Sequence, residues 1–234
     1  MIAMAADFPL YSRAMTKQIA LIHATREAIT PVETAFRDLW PDAEHWTLLD
    51  ESLTMDLAAA GGKLTPALTE RFLNLAAYAK ARQPDGILFT CSAFGAIIDQ
   101  IAAQYDVPVM KPNEAILDAA LAQGGRVGLL ATHPQTLPDM TADMEKLAAA
   151  RNVDLTVAPL LVEGAWADLG AGNRAAHDRA VVAAAPRLSD CGCIVLAQFS
   201  MAPLAAEIAA DTGLSVLTSP HAAVAEMKRR VNGT

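Results

Sequence analysis

Short apolar runs alternate with longer amphipathic stretches along the chain. Eight runs read as strands: QIALIHA (18–24), HWTLLD (45–50), DGILFT (85–90), VPVM (107–110), RVGLLA (126–131), VDLTVA (153–158), CIVLAQ (193–198) and LSVLT (214–218). Between them lie helix-like segments such as 31–40, 66–82, 136–150 and 173–188. Strands alternating with helices imply parallel sheets joined by right-handed crossovers. Start signals set the helix register. Thr30-Pro31-Val32-Glu33 reads as a capping box with proline at the first helical position. Pro66 follows Thr65 in the same manner, and Thr136 with Asp139 is a weaker version.

The two halves of the chain superpose at one shift. Cys91 pairs with Gln198 and Thr25 with Thr132, both 107 residues apart (198 − 91 and 132 − 25). The same shift pairs Leu48 with Leu155, Ile87 with Ile194 and Val109 with Val216. The fold class expected is therefore α/β: two similar Rossmann-like parallel-sheet lobes, related by a pseudo-twofold internal duplication. Open parallel sheets bind ligands at the C-terminal ends of their strands. Thr25, Thr132, Cys91 and Gln198 all stand at such ends, so they should converge on one cleft between the lobes.

Composition narrows the partners. The 234 residues are 53% apolar and only 5% aromatic, which suits a helix-rich, tightly packed protein. A net charge of −8 argues against nucleic acid or an anionic membrane as partner. No apolar run reaches the roughly 18 residues a bilayer span needs. The opening MIAMAADFPLYSRAMTK lacks a basic start followed by an apolar core, and reads as a loosely held lead-in rather than a signal peptide. Three cysteines without a signal peptide point to the reducing cytoplasm. Cys191 and Cys193 form a lone C-x-C, and the five histidines are scattered, so no metal site is expected. No G-x-G-x-x-G follows a strand, and there is neither a P-loop nor a G-x-S-x-G elbow. The residues ask for no cofactor. The pairs Gly61-Gly62 and Gly124-Gly125 read as helix-end or turn glycines.

Cys91 is the sharpest candidate for chemistry. It stands between a strand and a helix start, where backbone N–H groups and the helix dipole favour a thiolate; a buried core cysteine is the alternative. Its neighbours Thr90, Ser92, Ala93 and Gly95 are small or hydroxylated, so amides and hydroxyls can surround an anion. Thr25 and Thr132 are carboxylate-binding candidates or plain loop residues. Ser200 donates to a substrate or caps the helix starting near Met201. Gln198 can hydrogen-bond but cannot be a base at neutral pH. Glu163, in PLLVEGAW (159–166), is a carboxylate beside the cleft or a solvated loop residue, with Asp56 as its partner at the common shift. His133 is a second candidate proton carrier.

These residues resemble the aspartate/glutamate/hydantoin racemase superfamily from about Lys17 onward. The resemblance rests on LFTCSAFG (88–95), GRVGLLATHPQT (125–136), PLLVEG (159–164) and VLAQFSMA (195–202). It implies two cysteines facing each other across a carbon acid, one removing a proton and the other returning one, without a cofactor. Carried over, Cys91 matches the first cysteine, Thr25 and Thr132 lie in the substrate-binding loops, and Glu163 matches the acidic residue of a shortened motif. It also implies a closing helix that folds back, making residues 1–113 plus 220–234 one lobe and 114–219 the other. The second cysteine is replaced by Gln198, and Cys193, five residues earlier on the strand, should lie at the end away from the cleft. Three functions follow as expectations. The first is a racemase or isomerase moving a proton beside a carboxylate, with Cys91 as acid/base and His133, Glu163 or a water as partner. The second is a one-cysteine decarboxylase of a malonate-type acid, and the third a carboxylate-binding protein without turnover. The residues do not disclose the assembly; a homodimer is the commonest default.

Overall fold

A computed structural model describes residues 16–234, so the lead-in up to Met15 lies outside the described residues. All eight expected strands form: β1 Gln18–His23, β2 Glu44–Leu49, β3 Gly86–Phe89, β4 Val109–Met110, β5 Gly125–Ala131, β6 Leu155–Leu161, β7 Cys193–Leu196 and β8 Ser215–Thr218. They make two four-stranded parallel sheets of the same order, β2-β1-β3-β4 and β6-β5-β7-β8. The inner strands β3 and β7 are buried at every residue. Burial on both faces is what makes their sequences unbroken apolar runs instead of alternating ones.

Among the described residues ten α-helices cover the sheets: α1 Ile29–Leu39, α2 Ser52–Ala59, α3 Pro66–Ala81, α4 Gly95–Ala102, α5 Glu114–Gln123, α6 Thr136–Arg151, α7 Ala165–Gly170, α8 Arg174–Ala184, α9 Ala205–Thr212 and α10 Ser219–Asn232. Of the three expected caps, one forms. Thr65 is extended, and its hydroxyl accepts the Leu68 N–H at 3.3 Å as α3 opens on Pro66. The residues preceding α1 and α6, Ala28 and Gln135, are already helical in backbone, and no side chain caps either helix. A 3-10 turn over Arg26–Ala28 runs straight into α1, so Thr30 lies inside the helix rather than at its cap. Asp139 instead accepts the side-chain amide of Gln135 at 3.3 Å.

Strand pairing also corrects the single shift between the halves. Ile22 pairs with Phe89 and Leu130 with Leu196, which makes Ile22 equivalent to Leu130. That pair lies one residue further apart than Phe89 and Leu196. Thr132 therefore corresponds to Ala24, and His133 to Thr25. Ile22 also pairs with Leu48 and Leu130 with Leu160, so Leu48 matches Leu160, and Glu163 matches Glu51 rather than Asp56. The cause is crossover length. The first crossover carries an 11-residue helix in one lobe and a 16-residue helix in the other. A shorter second crossover in the second lobe nearly restores the count by β7.

Packing interlocks the lobes. On the first sheet, α3 and α4 cover one face through Leu68, Phe72, Ala76, Ile97, Ile98 and Ile101. The other face is covered by α1 and by α10, whose Ala223, Val224 and Met227 meet Ile19, Leu21, Val32 and Phe36. On the second sheet, α8 and α9 cover one face, while α6 and α5 cover the other. Thus α5 leaves the first sheet to pack on the second, and α10 leaves the second to pack on the first. Gly86 permits the second docking, because a Cβ there would meet the Met227 sulfur at 2.6 Å. Lys228 of α10 also donates to the Leu39 carbonyl at 2.9 Å, and Arg230 pairs with Glu114 of α5. No helix among the described residues is long and apolar enough to cross a membrane.

Met227 is fully buried at this junction. Met227→Ala should lower the free energy of unfolding by about 2–4 kcal/mol, read as a lower urea midpoint.

Candidate active site

The C-terminal ends of the inner strands open into one cavity of about 680 Å³, a size usual for small-molecule sites. Thr25, Thr90, Cys91, Ser92, His133, Gln198 and Ser200 all line it. Thr132 is buried just behind the wall and reaches the cleft through Gln198. Glu163 is exposed and is not among the lining residues. Cys193 begins β7, at the end of the strand away from the cleft, and is fully buried.

Cys91 follows β3 and precedes a 3-10 turn over Ser92–Phe94, which leads into α4. The turn is pinned by Phe94, fully buried and stacked on Phe72 at 4.5 Å. The Ala93 N–H donates to the thiol sulfur and favours the thiolate, but burial is the larger effect and pushes the Cys91 pKa up. The expected lowering is therefore reversed. The cause is burial; α4 itself starts only at Gly95, beyond the turn.

Behind Cys91 stands a residue that the sequence reading passed over. His23 ends β1 with no exposed surface, and its Nδ1 lies 2.8 Å from the Thr90 hydroxyl. Its Nε2 is buried without a partner. Burial lowers its pKa from 6.5 to about 4, so the ring is neutral at pH 7. The signal was only its place, the last residue of an apolar strand.

On the facing wall, the Gln198 side-chain oxygen accepts three hydrogen bonds. These come from the Thr132 N–H at 2.7 Å, the Thr132 hydroxyl at 3.2 Å and the His133 N–H at 3.4 Å. Three donors around one atom fix which end of the carboxamide is oxygen and turn its NH2 away. Ser200 caps no helix. It lies within a 3-10 turn, Phe199–Leu204, that no side chain caps, and its hydroxyl is buried without a partner.

His133 accepts the Gln135 N–H on Nδ1 at 3.3 Å, so the neutral ring carries its proton on Nε2. Burial lowers its pKa, opposed in part by the charge of Asp139. Its ring and that of Trp166 pack edge to face, with centroids 5.0 Å apart and planes at a right angle. Trp166 from α7, Met55 and Leu57 from α2, and Phe199 add apolar wall. Glu27 and Asp139 also line the cleft, and among the described residues no lysine or arginine does.

The comparisons agree with this architecture. The family model described as Asp/Glu/Hydantoin racemase matches residues 24–227. A search of curated proteins finds no match. Among solved structures, allantoin racemase from Klebsiella pneumoniae is similar at a TM-score of 0.69 and 18% identity, over 93% of this chain and 88% of that one. Glutamate racemase from Thermus thermophilus gives 0.65 and 21%, over 93% and 81%. Unliganded arylmalonate decarboxylase gives 0.60 and 16%, over 93% and 94%. At these identities the likeness is one of fold.

The buried His23 sets a pH dependence of stability. Its folded pKa is below its unfolded one, so the unfolded chain binds the proton more readily and stability is lost as pH falls from 6.5 toward 4. Urea titrations at pH 7 and pH 4 should show this loss, on the order of 2–3 kcal/mol from this group. In His23→Gln the difference between the two pH values should shrink by that amount.

Proposed function

Because the chain belongs to the Asp/Glu/hydantoin racemase family, we propose that it is a cofactor-independent isomerase that moves a proton at the carbon beside a carboxylate, with Cys91 as the proton carrier. One observation carries this reading. A single thiol faces the cleft, while the equivalent position across from it is a carboxamide whose oxygen is already held by three donors. The Cys91 thiolate takes the α-proton, and negative charge spreads onto the substrate carboxylate. The hydroxyls of Thr25 and Ser92 and the His133 Nε2–H are donors in the same cavity that can stabilise this enolate-like charge. A neutral imidazole serves here as donor rather than base. Gln198 supplies no proton, so the opposite face is left to water in the open cleft. Proton exchange should therefore run mainly with retention. A reducing cytoplasm suits a mechanism that needs Cys91 free.

A second reading, a one-thiol decarboxylase of a malonate-type acid, is favoured by the raised Cys91 pKa. Loss of carbon dioxide makes the carbanion, and a protonated thiol is the state that quenches it.

Proton NMR in D₂O over α-amino acids, hydroxy acids and substituted malonates separates the readings. The isomerase exchanges the α-proton of a carboxylate faster than it inverts the centre, and Cys91→Ser abolishes both. Its rate rises with pH through the raised Cys91 pKa, because the thiolate is the working form. The decarboxylase shows the opposite slope, losing activity as the thiol ionises. If wild type neither exchanges a proton nor releases carbon dioxide across the panel, the cleft binds carboxylates without turnover.

A further inference from the structure

The duplication lets one lobe report on the other. In the second lobe, two consecutive backbone N–H groups leave the end of β5, on Thr132 and His133, and both point at the Gln198 oxygen. Their equivalents in the first lobe are the N–H groups of Ala24 and Thr25, after β1. Neither of these has a protein acceptor among the described residues. The residue equivalent to Gln198 is Cys91, whose side chain is too short to reach them. The Gln198 oxygen therefore marks where an anionic oxygen sits in each lobe. In the second lobe the protein supplies that oxygen itself.

The rest of the cavity agrees. No lysine or arginine lines it among the described residues, so a second anionic group would find no cation there, and it would face Glu27 and Asp139. The nearby Arg26 is committed outward to Glu51, with two-thirds of its side chain exposed. At the mouth stand Met55 and Trp166, the former 69% and the latter 40% exposed. They belong to α2 and α7, the short helices after the second strand of each lobe. Large apolar side chains left open beside a cleft are placed to receive an apolar group.

The geometry points to Gln198 as a specificity-determining residue: its oxygen fills the anion site of the second lobe, leaving a cleft for a substrate with one carboxylate and an apolar substituent resting on Met55, Leu57 and Trp166. This rests on the reading that the cleft binds a carboxylate, and it selects within that reading. Aspartate, glutamate and malonate-type diacids carry one anion too many. Seating their second carboxylate in the second lobe would require displacing the Gln198 carboxamide, which gives up its own three hydrogen bonds.

A matched pair of ligands tests this by calorimetry in wild type and in Cys91→Ser, where no turnover consumes the ligand. 3-Phenylpropanoate and benzylmalonate share a benzyl group and differ by one carboxylate. Wild type should bind 3-phenylpropanoate at least about tenfold more tightly than benzylmalonate or glutamate. Q198A uncovers the second pair of amides and should bring the ratio to within about threefold, by gaining benzylmalonate. Q198E keeps an acceptor oxygen in place and adds like charge, so the preference should persist or grow. Trp166→Ala should weaken 3-phenylpropanoate about tenfold and leave acetate unchanged. Equal or tighter binding of benzylmalonate to wild type overturns the inference, as does failure of wild type to bind 3-phenylpropanoate. So does a Q198A ratio like that of wild type in protein with an unaltered circular dichroism spectrum. The outcome is separable from the reaction. A kept preference without proton exchange removes the isomerase reading alone, and exchange on glutamate removes this inference alone.

Discussion

Backbone N–H groups that run off the C-terminal end of a parallel sheet have no neighbouring strand to bond, and each must find an acceptor. The two walls of the cleft differ in how they answer that demand. The second lobe answers internally, with the carboxamide of Gln198. The first lobe does not, because a cysteine stands where the longer side chain would be. The same topological position thus holds a structural clasp in one half and, in the other, a thiol that lines the cleft. Two lobes of the same topology differ at the cleft, one wall carrying a thiol and the other a carboxamide held by three donors.

The cleft is also shaped by what surrounds the strand ends. Short turns between strand and helix, pinned by buried Phe94 in the first lobe, hold the thiol without placing it on a helix N-terminus. Burial raises the thiol's proton affinity, opposed only in part by the Ala93 N–H. His23 lies one layer deeper and grips the Thr90 hydroxyl, so the residue preceding the thiol is fixed from behind. The apolar mouth comes from a different source, the two short helices that follow the second strands.

Much of this was legible in the chain. Unbroken apolar runs disclosed the strands because burial on both faces removes the need for polar alternation, and the doubled outline around Cys91 and Gln198 disclosed the cleft. Helix starts were less legible. Thr65 caps because its backbone is extended, whereas Thr30 is likewise followed by proline but comes after a 3-10 turn that had already begun the coil. A single shift could not show that crossovers of unequal length displace the first and second strands. It therefore paired Thr25 with Thr132 instead of with His133. The clasp of Gln198 was invisible for a different reason. It joins a side chain to backbone amides 65 and 66 residues away, and no local pattern records such a bond. His23, Met55 and Trp166 went unread because each is an ordinary apolar-segment residue until the cleft is assembled around it.

The exchange of α5 and α10 between the sheets bears on how the chain matures during synthesis. The first sheet has all its strands once Met110 has been made, yet the face that α10 covers must wait for more than a hundred further residues. Until then Ile19, Leu21 and Leu88 border an uncovered apolar surface. The first lobe cannot finish as an independent unit on the ribosome, and its last layer arrives only after the second sheet is complete. The cleft therefore closes up from both sides late and together, and an emerging half-molecule never displays Cys91 in its finished surroundings.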